Sequence, residues 1–424
     1  MQERYRFNGR EEKVKGHGIK MKIATLLFTY NRSYHTEQVL FALKENTVLP
    51  QKLIVFQDGR KRETDINEWN KVNSLIHKID WCDHEIVVSG HNKGLADAIV
   101  SGVDYAFQEY DAIIVLEDDC VPHREFMAFM IECLHKYQEE DKVYNVSGYA
   151  YPVDVEDNGT DAYFTRRISS WGWGTWKDRW AYFDRDYRIW SRLMNNPEQA
   201  EQLRVWGADL QNYLRGNICG KCNSWGVFWS LNVIERGGYC LSCYRALISN
   251  IGFDGSGEHS GVRKNIIESC EKEKHNFRLP DKIELPPDCE QAFADLFAWT
   301  PPEERKELYI DFLLKWVKYA TNSQFKLADR LLEKGIKKCS IWGKGKLCAL
   351  LLEELQGKVD VLSVIESFPA EEDYQGVPVV GLNEIPEESQ LIIVIPMHDF
   401  QKIVRMAGQV TKCELISLDK ILEL

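Results

Sequence analysis

The chain has 424 residues, 44% hydrophobic and 28% charged, with 65 acidic side chains against 53 Lys and Arg and a net charge of −12. That is enough material for two or three domains with cores of their own, and the acidic balance excludes a broad nucleic-acid-binding surface. No apolar run reaches the ~18 residues of a membrane span, and residues 1–20 are charged, with no signal-peptide core. These features predict a cytoplasmic protein, with any membrane contact peripheral to the inner face and with 1–20 a disordered or loosely attached leader.

Residues 21–28 read as the first strand, followed by Thr29-Tyr-Asn-Arg32 and a helix over 35–45. A polar loop after the first strand of an α/β unit is a natural nucleotide site. The second strand, 53–56, ends at Gln57-Asp-Gly59. Asp58 can accept hydrogen bonds from a base or a ribose hydroxyl; the alternative is a turn residue. A helix over 67–78 leads to a third strand, 85–89. Asn92, Lys93 and Gly94 then open a helix running to 107. They offer backbone donors and a cation to a phosphate, or form an ordinary N-terminal turn.

The fourth strand, 112–116, runs straight into Glu117, Asp118 and Asp119, and Pro122 then breaks the extended chain. Three acids at the carboxyl end of a buried strand repel one another unless a cation or sugar hydroxyls fill the gap. A hard divalent ion bridging a diphosphate needs one or two of them. The alternative is an N-cap, at Asp118 or Asp119, of a helix over 124–139. The alternation of strand and helix predicts a mostly parallel α/β sheet flanked by helices.

Residues 143–147 read as a further strand and 149–160 as a polar loop. Ser169 to Trp180 then carries Trp171, Trp173, Trp176 and Trp180, interleaved with glycines. That is not a helix-core pattern. It reads as a saccharide-facing loop, or as a satellite cluster beneath a loop. Helices over 197–214 and 224–235 and a strand over 239–247 lead into a Gly-rich segment ending at His259. This histidine is a candidate metal or diphosphate ligand, or a solvated loop residue. Cys219, Cys222, Cys240 and Cys243 fit a C-x2-C-x17-C-x2-C zinc spacing. Isolated reduced thiols are the alternative.

Prolines punctuate 280–302, and helices over 303–319 and 324–334 follow. A second α/β unit starts near 336. Its strand 339–342, turn Gly343-Lys-Gly345 and helix 346–355 precede a strand over 359–365 that ends at Glu366; strands over 391–395 and 414–418 complete it. A G-x-G turn after a strand, with an acid about twenty residues on, is the start of a dinucleotide fingerprint, but Cys348 holds the third glycine position. Docking of a partner or self-association is one role for this unit, nucleotide or sugar-nucleotide binding another.

In order and spacing, Thr29-Tyr-Asn-Arg32, Asp58-Gly59, Asn92-Lys-Gly-Leu95, Glu117-Asp-Asp119, Ser170-Trp-Gly-Trp-Gly-Thr-Trp176, Ser224-Trp225 with Trp229, and Asn250-Ile-Gly-Phe-Asp-Gly-Ser-Gly257 resemble the GT-A nucleotide-sugar glycosyltransferases. The likeness is to bacterial family-2-like members, and more distantly to N-acetylglucosaminyltransferase I. It covers about 21–280; a helical linker, 281–335, and a C-terminal domain, 336–424, resembling small Rossmann-like modules follow. The resemblance implies a sugar transfer from a nucleoside-diphosphate donor to a glycan or lipid-linked acceptor, with inversion, in surface polysaccharide biosynthesis. Thr29, Tyr30, Arg32, Asp58, Lys93, Glu117 and Asp118 would contact the donor. Asp119 and His259 would hold Mn²⁺ or Mg²⁺. Trp171, Trp173, Trp176 and Trp225 would face donor and acceptor sugars.

An inverting transfer needs a carboxylate base. In relatives an acid often sits near the start of the Trp225 helix, where this chain has Asn223 and Gly226. The nearest carboxylates are Asp209 and Asp254, so the base stays unassigned. Two rival functions remain: a sugar-phosphate nucleotidyltransferase, and a non-catalytic nucleotide- or glycan-binding subunit.

Overall fold

The computed structural model describes residues 21–252, 276–298, 302–322, 326–367, 369, 371–408 and 410–423. Its strands are β1 Ile23–Thr29, β2 Leu53–Gln57, β3 His84–Val88, β4 Ala112–Glu117, β5 Cys120–Pro122, β6 Val143–Ser147, β7 Ala162–Thr165, β8 Trp173–Trp176, β9 Tyr239–Cys243, β10 Ile248–Asn250, β11 Lys338–Trp342, β12 Asp360–Ile365, β13 Asp373–Tyr374, β14 Val377–Val380, β15 Leu391–Val394 and β16 Glu414–Ser417.

Eight strands form one sheet in the order β3-β2-β1-β4-β8-β6-β9-β7. The first four are mutually parallel; β8 runs antiparallel to β4 and β6, and β7 antiparallel to β9. The central strands are apolar because both faces are covered. Along β4, Ile114 and Leu116 face a cluster holding Val39, Val72 and Met130, while Ile113 and Val115 face one holding Ile99, Val103 and Trp229. The helices Ser33–Lys44, Ile66–Ile76 and Phe126–Lys136 therefore cover one face, and Leu95–Ala106 and Trp225–Glu235 the other. This is the mostly parallel, helix-flanked α/β architecture expected from the sequence.

A second sheet has the order β13-β14-β12-β11-β15-β16, all parallel except β13. The helices Pro302–Asn322, Leu327–Glu333 and Lys346–Leu355 lie on one face and Phe400–Gly408 on the other. Its first strand sits mid-sheet, as in a Rossmann-like unit.

Three expectations are corrected. The helix expected over 197–214 breaks at Gly207 into Pro197–Trp206 and Leu210–Ile218. There a Cβ would press on Leu203 and Leu210. The strand expected over 239–247 ends at Cys243. The Trp-Gly segment, read as a loop, is strand β8 between β4 and β6. Among the described residues, no helix is long and apolar enough to cross a membrane.

Candidate functional site

The chain leaves β1 toward β2 on one side of the sheet, while β4 pairs on the other. The crevice at the carboxyl ends of β1 and β4 is thus a topological switch point, where open α/β sheets bind ligands. Phe28 lies in register with Glu117. The residues after β1 therefore meet the three acids at the carboxyl end of β4.

Arg32 makes that meeting. Its guanidinium pairs with Asp118, and with Asp119 at 2.9 Å. Asp118 and Asp119 are buried and Glu117 partly so. Burial opposes the charge on Arg32, but Asp118 and Asp119 outweigh it and hold the guanidinium above its usual value. Burial raises the proton affinity of Asp118, against the pull of Arg32 and with the push of Asp119. Glu117 is pushed up to about 8 by burial, then by Asp119 and Asp118. With Glu117 protonated at neutral pH, Asp118 and Asp119 against the one guanidinium paired with them among the described residues still leave an excess of negative charge. That donor set fits a divalent cation held through one or two carboxylates, with phosphate and water completing its shell.

The strand β10 forms the wall beside Asp119. Asn250 pairs with Cys120, its amide donates to Asp119 Oδ1 at 3.3 Å, and the Ile251 N–H donates to the Asp119 carbonyl at 2.9 Å. The Asn250 side chain in turn accepts from the Gly252 N–H at 2.8 Å. A Cβ at Gly252 would stand 2.2 Å from Asp119 Oδ2 and 3.2 Å from Arg32. Sequence reasoning did not single out Asn250 and Gly252 as site residues; their signal was the Asn-Ile-Gly opening of the Gly-rich segment.

The other expected donor-site residues mostly build the walls. The buried Thr29 hydroxyl donates to the Phe56 carbonyl at 3.1 Å and so ties β1 to β2. The Tyr30 hydroxyl donates to Asp65 at 2.7 Å and accepts the Lys61 N–H at 2.8 Å. Burial and the Asp65 bond push it up to about 12. The Asp58 carboxylate accepts the backbone N–H groups of Gly59, Lys93 and Gly94 at 2.8–2.9 Å and the Asn92 amide at 3.0 Å. It clamps the loop before helix Leu95–Ala106 to the end of β2, and Gly59 permits the approach: a Cβ there would meet the His91 carbonyl carbon at 2.3 Å. The Lys93 ammonium folds back along its helix to Ser101 at 3.0 Å, so only its backbone N–H serves the loop.

Asp209 is not a free base. Arg167 donates to both its oxygens at 2.8 Å, bonds the Trp206 carbonyl and lies 4.1 Å over the Phe297 ring. Asp254 and His259 lie outside the described residues. Asn223 accepts from Arg185, which pairs with Asp97 at 2.6 Å.

Three of the four tryptophans are core. Trp173 and Trp176 project to opposite faces of β8, and Trp173 stacks on buried Trp225 at 4.8 Å. The expectation of a saccharide-facing loop fails for Trp173, Trp176 and Trp225, which are buried, and the glycines serve close packing. A Cβ at Gly174 would stand 2.7 Å from the Ile113 carbonyl, and Gly172 has φ +56. Trp171 alone is partly exposed, edge-on to Tyr149 at 4.8 Å.

The four-cysteine zinc spacing is not a site. Cys240 and Cys243 face opposite sides of β9, one in each core cluster, so they cannot share an ion. Cys222 bonds the Tyr213 carbonyl and Cys219 is exposed. Among the described residues no three His, Cys, Asp or Glu side chains are placed to hold a metal by themselves.

No protein-family model matches the chain, and no curated protein matches it. Solved structures do. A mannosyltransferase from Pyrobaculum calidifontis, in complex with GDP-Man and Mn²⁺, is 10% identical over 51% of this chain and 74% of that one, with a TM-score of 0.30. TarS residues 1–349 from S. aureus, with UDP-GlcNAc, is 13% identical over 41% of this chain and 48% of that one, at 0.28. Glucosyl-3-phosphoglycerate synthase from Mycobacterium tuberculosis, with Mn²⁺, UDP and glucosyl-3-phosphoglycerate, is 13% identical over 38% of this chain and 58% of that one, at 0.25. This chain spans about half of the TarS structure it matches.

Proposed function

We propose that this protein is a glycosyltransferase that takes a sugar from a nucleoside-diphosphate donor, with a divalent cation at Asp119. The observation that carries the reading is the under-compensated acid cluster at the β1–β4 switch point. Among the described residues, Arg32 is the one guanidinium paired with Asp118 and Asp119. A cation brought in with a diphosphate would relieve the excess charge and leave Arg32 to turn to a phosphate oxygen.

In this reading the Asp58 clamp and the Tyr30–Asp65 pair shape the nucleoside end of the crevice. Asp118 faces the ribose or donor sugar, and Gly252 with Asn250 keeps Asp119 aimed inward. The bound cation would supply Lewis-acid stabilisation of the departing diphosphate. The acceptor is a glycan or lipid-linked acceptor, the transfer is inverting, and surface polysaccharide assembly is its setting by analogy. The domains are 21–280 for transfer, 281–335 as helical linker and 336–424 as a Rossmann-like accessory unit.

A second reading is a nucleotide-binding subunit without turnover. It is favoured by Asn223 where relatives often carry an acid, and by the engagement of Asp209 with Arg167. Calorimetry with nucleoside diphosphates and nucleotide sugars, with and without Mn²⁺, tests both. Manganese-dependent binding of one nucleotide, lost in Asp119→Asn, supports the donor site; no binding of any nucleotide overturns it. Metal-dependent donor hydrolysis that needs Asp119 then excludes the subunit without turnover.

A further inference from the structure

The helix Pro302–Asn322 is about 31 Å long at 1.5 Å per residue. One face packs on the C-terminal sheet. Phe312 is buried there, with Tyr309 and Trp316 beside it, and the Tyr309 hydroxyl donates to the Ile395 carbonyl at 3.3 Å. On the far side, Ile310, Leu314 and Val317 are 54%, 64% and 59% exposed, flanked by Leu313 at 37%. At helical spacing these four form one apolar stripe, about two turns long, turned away from the fold. A solvated helix face would be polar here.

The charges alongside identify the occupant. The half before Phe312 carries Glu303, Glu304, Glu307 and Asp311 with Arg305 and Lys306; the half after it carries Lys315 and Lys318 and no acid. The first half is therefore net negative and the second net positive. Two copies laid parallel would set acid beside acid. Laid antiparallel about a two-fold axis near Leu313 and Leu314, each acidic half meets the other's basic half, and Ile310 of each copy packs near Val317 of its mate. Glu307 then comes within reach of Lys318 across the seam.

We propose that this stripe is the interface of a homodimer, built by antiparallel pairing of the helix Pro302–Asn322 with its counterpart in a second copy of the chain. The pairing joins two C-terminal units.

Sedimentation velocity on the full chain tests it. The wild type sediments as a dimer at micromolar concentration. Leu314→Glu, at an exposed position, yields a monomer that keeps the wild-type circular dichroism spectrum and still unfolds cooperatively, melting lower only by the stabilisation the dimer supplied. Glu307→Lys and Lys318→Glu each weaken the dimer about tenfold, and the two together restore it, because only a self-complementary antiparallel seam couples these positions. A monomeric wild type overturns the proposal, whether the stripe is covered by residues 1–20 or by another protein. So does a dimer that survives Leu314→Glu, or a double reversal that fails to restore association.

Discussion

Gly252 and Asp119 are in such close contact that a methyl group on Gly252 would stand 2.2 Å from Asp119 Oδ2. The acid that would hold a cation is therefore aimed by the absence of a side chain on a neighbouring strand's exit. Gly252→Ala is expected to push the carboxylate toward Arg32 and to weaken manganese-dependent nucleotide binding about tenfold or more. Calorimetry reads this directly, with thermal melting in metal-free buffer as the control for folding. Unchanged affinity would mean that Asp119 does not carry the cation.

Arg32 compensates two buried carboxylates. Arg32→Met leaves them facing each other, and breaking a buried pair costs about 3–5 kcal/mol. Urea unfolding of the metal-free variant should show a loss of that order. Millimolar Mn²⁺ should return part of it, because an ion that binds only the folded state stabilises it by mass action. A loss that Mn²⁺ leaves untouched would count against a cation site between these acids.

Glu117 is held up to about 8 by burial and by the neighbouring Asp119 and Asp118. The unfolded chain releases this proton near the ordinary glutamate value, so between roughly pH 4.5 and pH 8 the folded state holds a proton that the unfolded state does not. Stability attributable to Glu117 is complete below that window and is lost as the pH rises through it. In metal-free buffer, Glu117→Gln should flatten this decline. Chemical denaturation at pH 5, 6.5 and 8 on both proteins measures it; parallel profiles would show that Glu117 ionises normally.

Trp173 is a core residue, stacked on Trp225 and enclosed by β4 and β6. Trp173→Ala should cost about 3–5 kcal/mol of stability, the range for deleting a large buried aromatic ring. Trp171→Ala, at a partly exposed ring, should cost far less. If sugar binding is affected by only one of the two, the expected one is Trp171. Equal stability losses would show that exposure does not separate these rings.

The runs 23–28, interrupted only by Thr25, and 112–116 are apolar because both faces of a parallel sheet are buried, so their strand character is local information. The convergence of Arg32 with Asp118 and Asp119 was not local. It follows from the pairing of β1 with β4, which brings together residues 86 and 87 positions apart. Composition likewise could not separate a stacking platform from a core. Four tryptophans among glycines look like a mobile loop until the Ile113 carbonyl, arriving from β4, explains why position 174 is glycine.

The same division runs through the charged residues. Asp209 and Asp58 looked available as single letters, and tertiary contacts with Arg167 and with the Asn92–Gly94 loop occupy both. The sequence by itself determined which segments alternate as strand and helix and where the acids leave the sheet, because hydrophobic periodicity and chain breakers act over a few residues. Only the tertiary structure decided which acids are free, which are clamped and which rings are buried. Those properties depend on partners distant in sequence, which only the packed sheet brings within hydrogen-bonding range.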